Sequence, residues 1–254
     1  MTQGKGKLYL VPAPLDFGCE QLAPIQDVMP LQTLQIAAGS GYFICENAKS
    51  TRAYLKRVGE LVELKQAIQA LHITELPREV HKKGDHTGNF DAKPLLKAAI
   101  EGHDIALVSE AGMPAIADPG SSVVRAAHDL GIEVVALTGP MSLMLALASS
   151  GLNGQNFAFV GYLPQDSAER GQRIKSLESL ALKTGQTQIF IETPYRNTVL
   201  LQALLQSLQG NTRLALSCGL TLDAAWTKSA TVTKWKQDKP TPPLGLPTVF
   251  CIGR

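Results

Sequence analysis

The chain has 254 residues, 44% of them apolar, enough to bury a substantial core in one large or two smaller domains. Its formal net charge of +2, with 18% charged residues, excludes a protein that grips nucleic acid by a strong positive field alone, so RNA is permitted as a partner but not indicated by charge. No segment approaches the roughly 18 apolar residues of a membrane span, which excludes a membrane-embedded class. The opening MTQGKGKLYLVPAP has one hydrophobic run, ended by Pro12 and Pro14, too short for a signal peptide. Cys19, Cys45, Cys218 and Cys251 form no C-x-x-C pair and read as small hydrophobes in a reducing compartment. The expectation is a cytoplasmic protein.

The first predicted strand is KLYLVPAP (7–14). AAGSGYF (37–43) superficially resembles a dinucleotide glycine loop, but its glycines close a helical pattern and lead into the strand YFICE (42–46), so it reads as a helix end. ENAKSTRAYLKR (46–57) places Lys49, Arg52, Lys56 and Arg57 at near-helical spacing, a solvated face or a phosphate-contacting one. HKKGDHTGNFD (81–91) contains His81, Asp85, His86 and Asp91 in a Gly- and Asn-bearing stretch that matches no zinc spacing; a polar loop without metal is predicted. A helix over 91–103 then leads to the strand DIALVSE (104–110), a helix over 119–131 to IEVVALTGP (132–140), and a helix over 141–151 to FAFVGYLP (157–164). PQDSAERGQR (164–173) is the most polar stretch and reads as a surface loop. The helical pattern SAERGQRIKSLESLALK precedes TQIFIETP (187–194), and a helix over 195–210 precedes RLALSCG (213–219). Thr-rich AWTKSATVTKW (225–235) predicts antiparallel strands with little helix, and four prolines between 240 and 247 make a stiff connector into PTVFCIGR.

Runs that are apolar throughout mark strands covered on both faces. Their alternation with helices predicts an α/β protein of two α/β/α domains with mostly parallel sheets, divided near LTGPMS into residues 1–138 and 139–254. The chain has neither a G-x-x-x-x-G-K-[ST] loop nor a G-x-S-x-G elbow. LVSEAGMPAIADPG (107–120) needs a different explanation, because a plain turn requires one Gly or Pro. Here Glu110 and Asp118 flank a backbone constrained by Gly112, Pro114 and Pro119, and the loop leaves the carboxyl end of a strand, where open α/β sheets bind ligands. LTGPMS, VGYLP and IETPYR are strand ends of the same kind.

These residues carry a resemblance. LVSEAGMPAIADPG resembles the S-D-A-G-T-P-x-I-S-D-P-G motif of the ribosomal RNA small subunit methyltransferase I family, within the tetrapyrrole methylase superfamily. The likeness continues in order through VVALTGPMSLMLALASSGL, FAFVGYLP and IFIETPYRNTVLL, and LYLVPAPLDFG stands where the family has L-Y-x-V-A-T-P-I-G-N-L. It implies a homodimeric, two-domain protein that binds S-adenosylmethionine in a cleft between its domains. By that match the cofactor residues are Ser109, Glu110, Ala111, Gly112, Met113, Pro114 and Ile116, with Thr138, Gly139, Pro140, Tyr162, Leu163 and Glu192. Arg52, His81, Lys82, Lys83 and Arg170 fall where a substrate would be contacted. Glu46, Glu110, Asp118 and Glu192 are the carboxylates that could take the proton of a nucleophile, and the sequence does not choose among them.

The chain departs from the family at PLDFG, CENAKSTR and HKKGDHTGN, and at Glu110 and Met113, where the motif has Asp and Thr. Three readings follow: methylation of a ribosomal RNA ribose 2'-hydroxyl, with the ribosomal small subunit as partner; methylation of a tetrapyrrole-like small molecule; or a non-catalytic binding protein.

Overall fold

The computed structural model describes residues 4–83, 85 and 90–254, and of 81–83 the backbone alone. It divides into two compact units, one formed by the chain up to Gly18 and Ala23–Pro140, the other by Cys19–Leu22 and Met141–Arg254.

In the first unit, Leu8–Val11 (β1), Tyr42–Cys45 (β2), His72–Glu75 (β3), Ile105–Val108 (β4) and Val134–Ala136 (β5) form a sheet in the order β3-β2-β4-β1-β5, every pair parallel. Parallel neighbours require crossovers, and most are helical: Ile25–Val28 (α1) and Leu31–Gly39 (α2) join β1 to β2, Ala48–Gly59 (α3) precedes β3, Arg78–Lys83 (α4) and Lys97–Ile100 (α5) precede β4, and Ser121–Asp129 (α6) precedes β5. Side chains alternate across the sheet. Val11, Phe43, Ala106 and Val108 pack on one face with Leu34 and Ala37 of α2 and Leu55 and Val58 of α3. Leu8, Ile44, Ile105 and Leu107 pack on the other with Leu96, Ala99 and α6 residues Val123, Ala126 and Ala127. Two covered faces explain why these strands read as continuous apolar runs.

The second unit holds Ser142–Ser150 (α7), Phe157–Tyr162 (β6), Ser167–Thr184 (α8), Thr187–Glu192 (β7), Asn197–Ser207 (α9), Arg213–Cys218 (β8), Trp226–Thr231 (β9), Val232–Asp238 (α10) and Thr248–Gly253 (β10). Its sheet runs β6-β7-β10-β8-β9 and is mixed: β6 and β7 are parallel across the α8 crossover, and the other pairs are antiparallel. The expectation of a mostly parallel sheet therefore describes the first unit. In the second, the short link from β8 to β9 has no length for a crossover and folds the pair back on itself. Phe190, Leu214, Leu216 and Phe250 pack against α8, α9 and Trp235 of α10, and Ile189, Ala215, Val249 and Cys251 pack against α7.

Three local expectations change. The 164–173 stretch is a loop only to Asp166, whose carboxylate accepts the amides of Ala168 and Glu169 at 2.9 Å each and starts α8; its polarity is that of a helix entrance. The antiparallel β9 forms as expected, but VTKW turns into α10, burying Trp235 with its indole N–H on the Leu214 carbonyl at 2.8 Å. The edge strand β3, HITE, is too short and too exposed to stand out as an apolar run. The glycines of AAGSG do end α2, before β2 begins. Cys45, Cys218 and Cys251 are buried free thiols at strand positions. Among the described residues no helix is long and apolar enough to cross a membrane.

Candidate functional site

The carboxyl ends of β2, β4 and β1 lie side by side in the first unit, since Val108 is registered with both Cys45 and Val11. The loops that leave them converge. After β4, the Ser109 hydroxyl donates to the Gly112 carbonyl at 2.7 Å, curling the chain, and Gly112 and Ala13 exchange backbone hydrogen bonds of 2.9 Å each way, which ties the loop to the one after β1. A Cβ on Gly112 would stand 3.2 Å from Leu15 Cδ2 and 3.5 Å from the Pro140 carbonyl oxygen, and its φ of +72° already disfavours any side chain. After β5, Gly139 lies so close to Pro12 that a Cβ would be 2.4 Å from the ring. The Thr138 carbonyl is held by the Thr33 hydroxyl at 2.7 Å. Ser109 to Ile116, Thr138, Gly139 and Pro140 thus belong to neighbouring loops at one end of one sheet.

Three carboxylates share this end. Glu46 follows β2 and Glu110 follows β4; the Glu110 amide points at Glu46 Oε1, 3.4 Å away, and the Ser50 hydroxyl at the start of α3 reaches Glu110 Oε1 at 3.0 Å. Burial, and then the charges of Glu46 and Glu110, push the Asp118 carboxyl up to about 7. The backbone that carries it is strained, with Ala115 and Ala117 both at φ +65° flanking the exposed Ile116. Left-handed geometry costs a non-glycine residue roughly 1–2 kcal/mol, and such strain persists where the surrounding structure fixes it.

Asp85 supplies part of that fixation. Its buried carboxylate accepts the amides of Gly120 and Ser122 at 2.9 and 2.8 Å and the hydroxyls of Ser121 and Ser122 at 2.7 and 2.6 Å, capping α6 where the loop ends. Burial alone would raise this carboxyl, but the bonds from Ser122, Ser121 and Gly120 outweigh it and hold it below the usual carboxylate range. Arg125 completes the tie through the Asp85 carbonyl at 2.7 Å. Asp85 is therefore an anchor of the loop.

The other predicted residues are placed as follows. Arg52, Lys49 and Lys56 are exposed on α3, whereas Arg57 departs from the solvated face: it forms a two-pronged pair with buried Asp16 at 3.0 and 2.9 Å and also holds the Ala23 carbonyl at 2.7 Å. His81, Lys82 and Lys83 lie on α4, with their side chains outside the described residues, as is His86. Tyr162, Leu163, Glu192 and Arg170 belong to the second unit. A bulge at the end of β6, with Gly161 at φ +72°, precedes Tyr162, whose ring is 58% exposed, while Leu163 is buried. Glu192 is ion-paired with Arg196 and accepts the Thr193 amide at 2.8 Å. Arg170 binds the Gln165 carbonyl at 2.9 Å. The sequence reading missed Ser50, the anchoring role of Asp85 and the Asp16–Arg57 pair; their partners are distant in sequence, and no local spacing signals them.

Comparison with known proteins agrees with this placement. The chain is 34% identical over 215 residues to a Ribosomal RNA small subunit methyltransferase I of Mesorhizobium japonicum, covering 84% of this chain and 63% of that protein. It is 32% identical over 192 residues to the protein of that name from Escherichia coli O157:H7, covering 76% and 57%, and 30% identical over 220 residues to that of Micromonospora olivasterospora, covering 87% and 61%. The chain therefore spans less than two thirds of the length of these relatives. In fold it is similar to uroporphyrin-III-C-methyltransferase from Thermus thermophilus, with a TM-score of 0.53, and to the methyltransferase CobJ, with 0.57, each at 17% identity over 98% of this chain and 94% of the other. The family model of the Tetrapyrrole (Corrin/Porphyrin) Methylases matches residues 26–234, most of the chain, and the chain belongs to that family.

Proposed function

We propose that this protein is an S-adenosylmethionine-dependent methyltransferase acting on a ribose 2'-hydroxyl of small-subunit ribosomal RNA, as a cytoplasmic homodimer of the kind the family resemblance implies. The observation that carries the reading is the strand-end cradle built around the strained 109–120 loop. Its residues fit the methyl donor. Gly112 and Gly139 leave backbone bare where side chains would collide, and Glu46, Glu110 and Asp118 supply the negative potential that suits a cation. Ser109 to Pro114, Ile116, Thr138, Gly139 and Pro140 would hold the cofactor. When bound, it supplies a methyl group on a sulfonium with a thioether as leaving group. The chain's own tasks are then to orient the acceptor hydroxyl and to receive its proton. The relatives named as ribosomal RNA methyltransferases support RNA as the acceptor.

The test is to incubate the protein with methyl-labelled S-adenosylmethionine and small ribosomal subunits from cells lacking its gene, beside a small-molecule extract of the same cells. Label in RNA that survives alkaline hydrolysis as a dinucleotide is expected, because a 2'-O-methyl removes the hydroxyl that attacks the neighbouring phosphodiester. Label confined to small molecules, or no label in either fraction, would overturn the reading.

A further inference from the structure

Of the four carboxylates that could receive the nucleophile's proton, the structure separates one. Glu192 is committed to Arg196 and the Thr193 amide. Glu110 accepts from Ser50, and Glu46 receives the Glu110 amide. Asp118 is half-buried on a rigid segment, set by the left-handed Ala115 and Ala117 on one side and by Gly120, pinned to Asp85, on the other. The charged groups facing it are Glu46 from the end of β2 and Glu110 from the end of β4, both of its own sign.

We propose that Asp118 is the general base of the reaction, the group that takes the proton from the acceptor hydroxyl, while Glu46 and Glu110 position it and raise its basicity. This rests on the methyltransferase reading given above. In the step, the hydroxyl O–H bond breaks and its proton passes to an Asp118 oxygen; the oxygen lone pair forms the new C–O bond as the C–S bond breaks, with its electron pair kept by the thioether sulfur. A base is most effective when its proton affinity matches the working pH, and two like charges beside a half-buried carboxyl provide that match near neutrality. An isolated surface aspartate would be ionised but too weak.

The experiment compares wild type with Asp118→Asn by three readouts: S-adenosylmethionine affinity by calorimetry, single-turnover methyl transfer to small ribosomal subunits from pH 5.5 to 8.5, and the infrared carboxylic-acid band across the same range. Asp118→Asn is expected to bind the cofactor within about threefold of wild type while transfer falls by about 10²- to 10⁴-fold, the usual worth of a general base. The acid limb of the wild-type profile should vanish in the variant, and the wild-type minus variant infrared difference should show a protonated carboxyl that ionises near neutral pH. Transfer by Asp118→Asn within threefold of wild type, or a matching loss of cofactor binding, would overturn the base role and leave the proposed function standing. If the wild type methylates no RNA, the proposed function falls and the base role with it.

Discussion

Replacing Asp118 by Asn removes a charge without changing shape, and the thermodynamic consequence has a definite sign. The folded carboxyl is raised from 3.8 to about 7, so between those values the folded chain holds a proton that the unfolded chain has released. Stability contributed by the protonated form is therefore lost as pH rises through this window, and the full cost is carried above pH 7. At about 1.4 kcal/mol for each pK unit, the shift corresponds to roughly 4 kcal/mol before solvent screening. Screening of a half-exposed carboxyl reduces this to about 1–2 kcal/mol. For a chain of this size that is a melting shift of about 2–8 °C. Thermal unfolding of wild type and Asp118→Asn in matched buffers reads it directly: the variant should melt only slightly above wild type at pH 4.5 and several degrees above it at pH 8. A gap that stays constant with pH, or closes as pH rises, would refute the argument that Glu46 and Glu110 act on a buried Asp118.

Other perturbations test the scaffold. Gly139→Ala puts a Cβ 2.4 Å from the rigid Pro12 ring, and overpacking of this kind costs about 1–3 kcal/mol, so denaturant unfolding should show a lower midpoint with weakened cofactor binding. Asp85→Ala strips four hydrogen bonds from the start of α6 and should cost about 3 kcal/mol near neutral pH. Because the Asp85 carboxyl lies below its usual range, wild type keeps this stability above pH 4 and loses it as pH falls further, so the gap between wild type and variant in acid melting curves should narrow there. Arg57→Met leaves Asp16 buried without its partner and should cost about 3–5 kcal/mol, while Arg57→Lys, unable to reproduce the fork, should fall between.

Much of the site is legible in the sequence because its signals are local. A continuously apolar strand followed by Gly, Pro and carboxylates marks the 107–120 loop, and the Gly–Pro pair after β5 marks its neighbour. What the sequence hides is what depends on distant partners or on unexpected backbone. Alanine at φ +65° carries no compositional sign, so the strain at Ala115 and Ala117 is invisible until the chain is folded. Asp85 resembles one of several possible metal-binding types in HKKGDHTGNFD, and its role as a cap depends on residues 35 to 37 positions away. Arg57 belongs to a basic stripe by spacing, yet buried Asp16 draws it out of solvent. The mixed second sheet follows from link lengths more than from strand composition, since β8 and β10 are as apolar as the parallel strands of the first unit.

The most direct measurement is amide hydrogen exchange, followed by mass spectrometry, with and without saturating S-adenosylmethionine. Protection concentrated in the first-unit strand-end segments 12–15, 46–50, 109–120 and 137–140 is the expected result. Binding of the cofactor with these four segments left unprotected would contradict the assignment of the cradle.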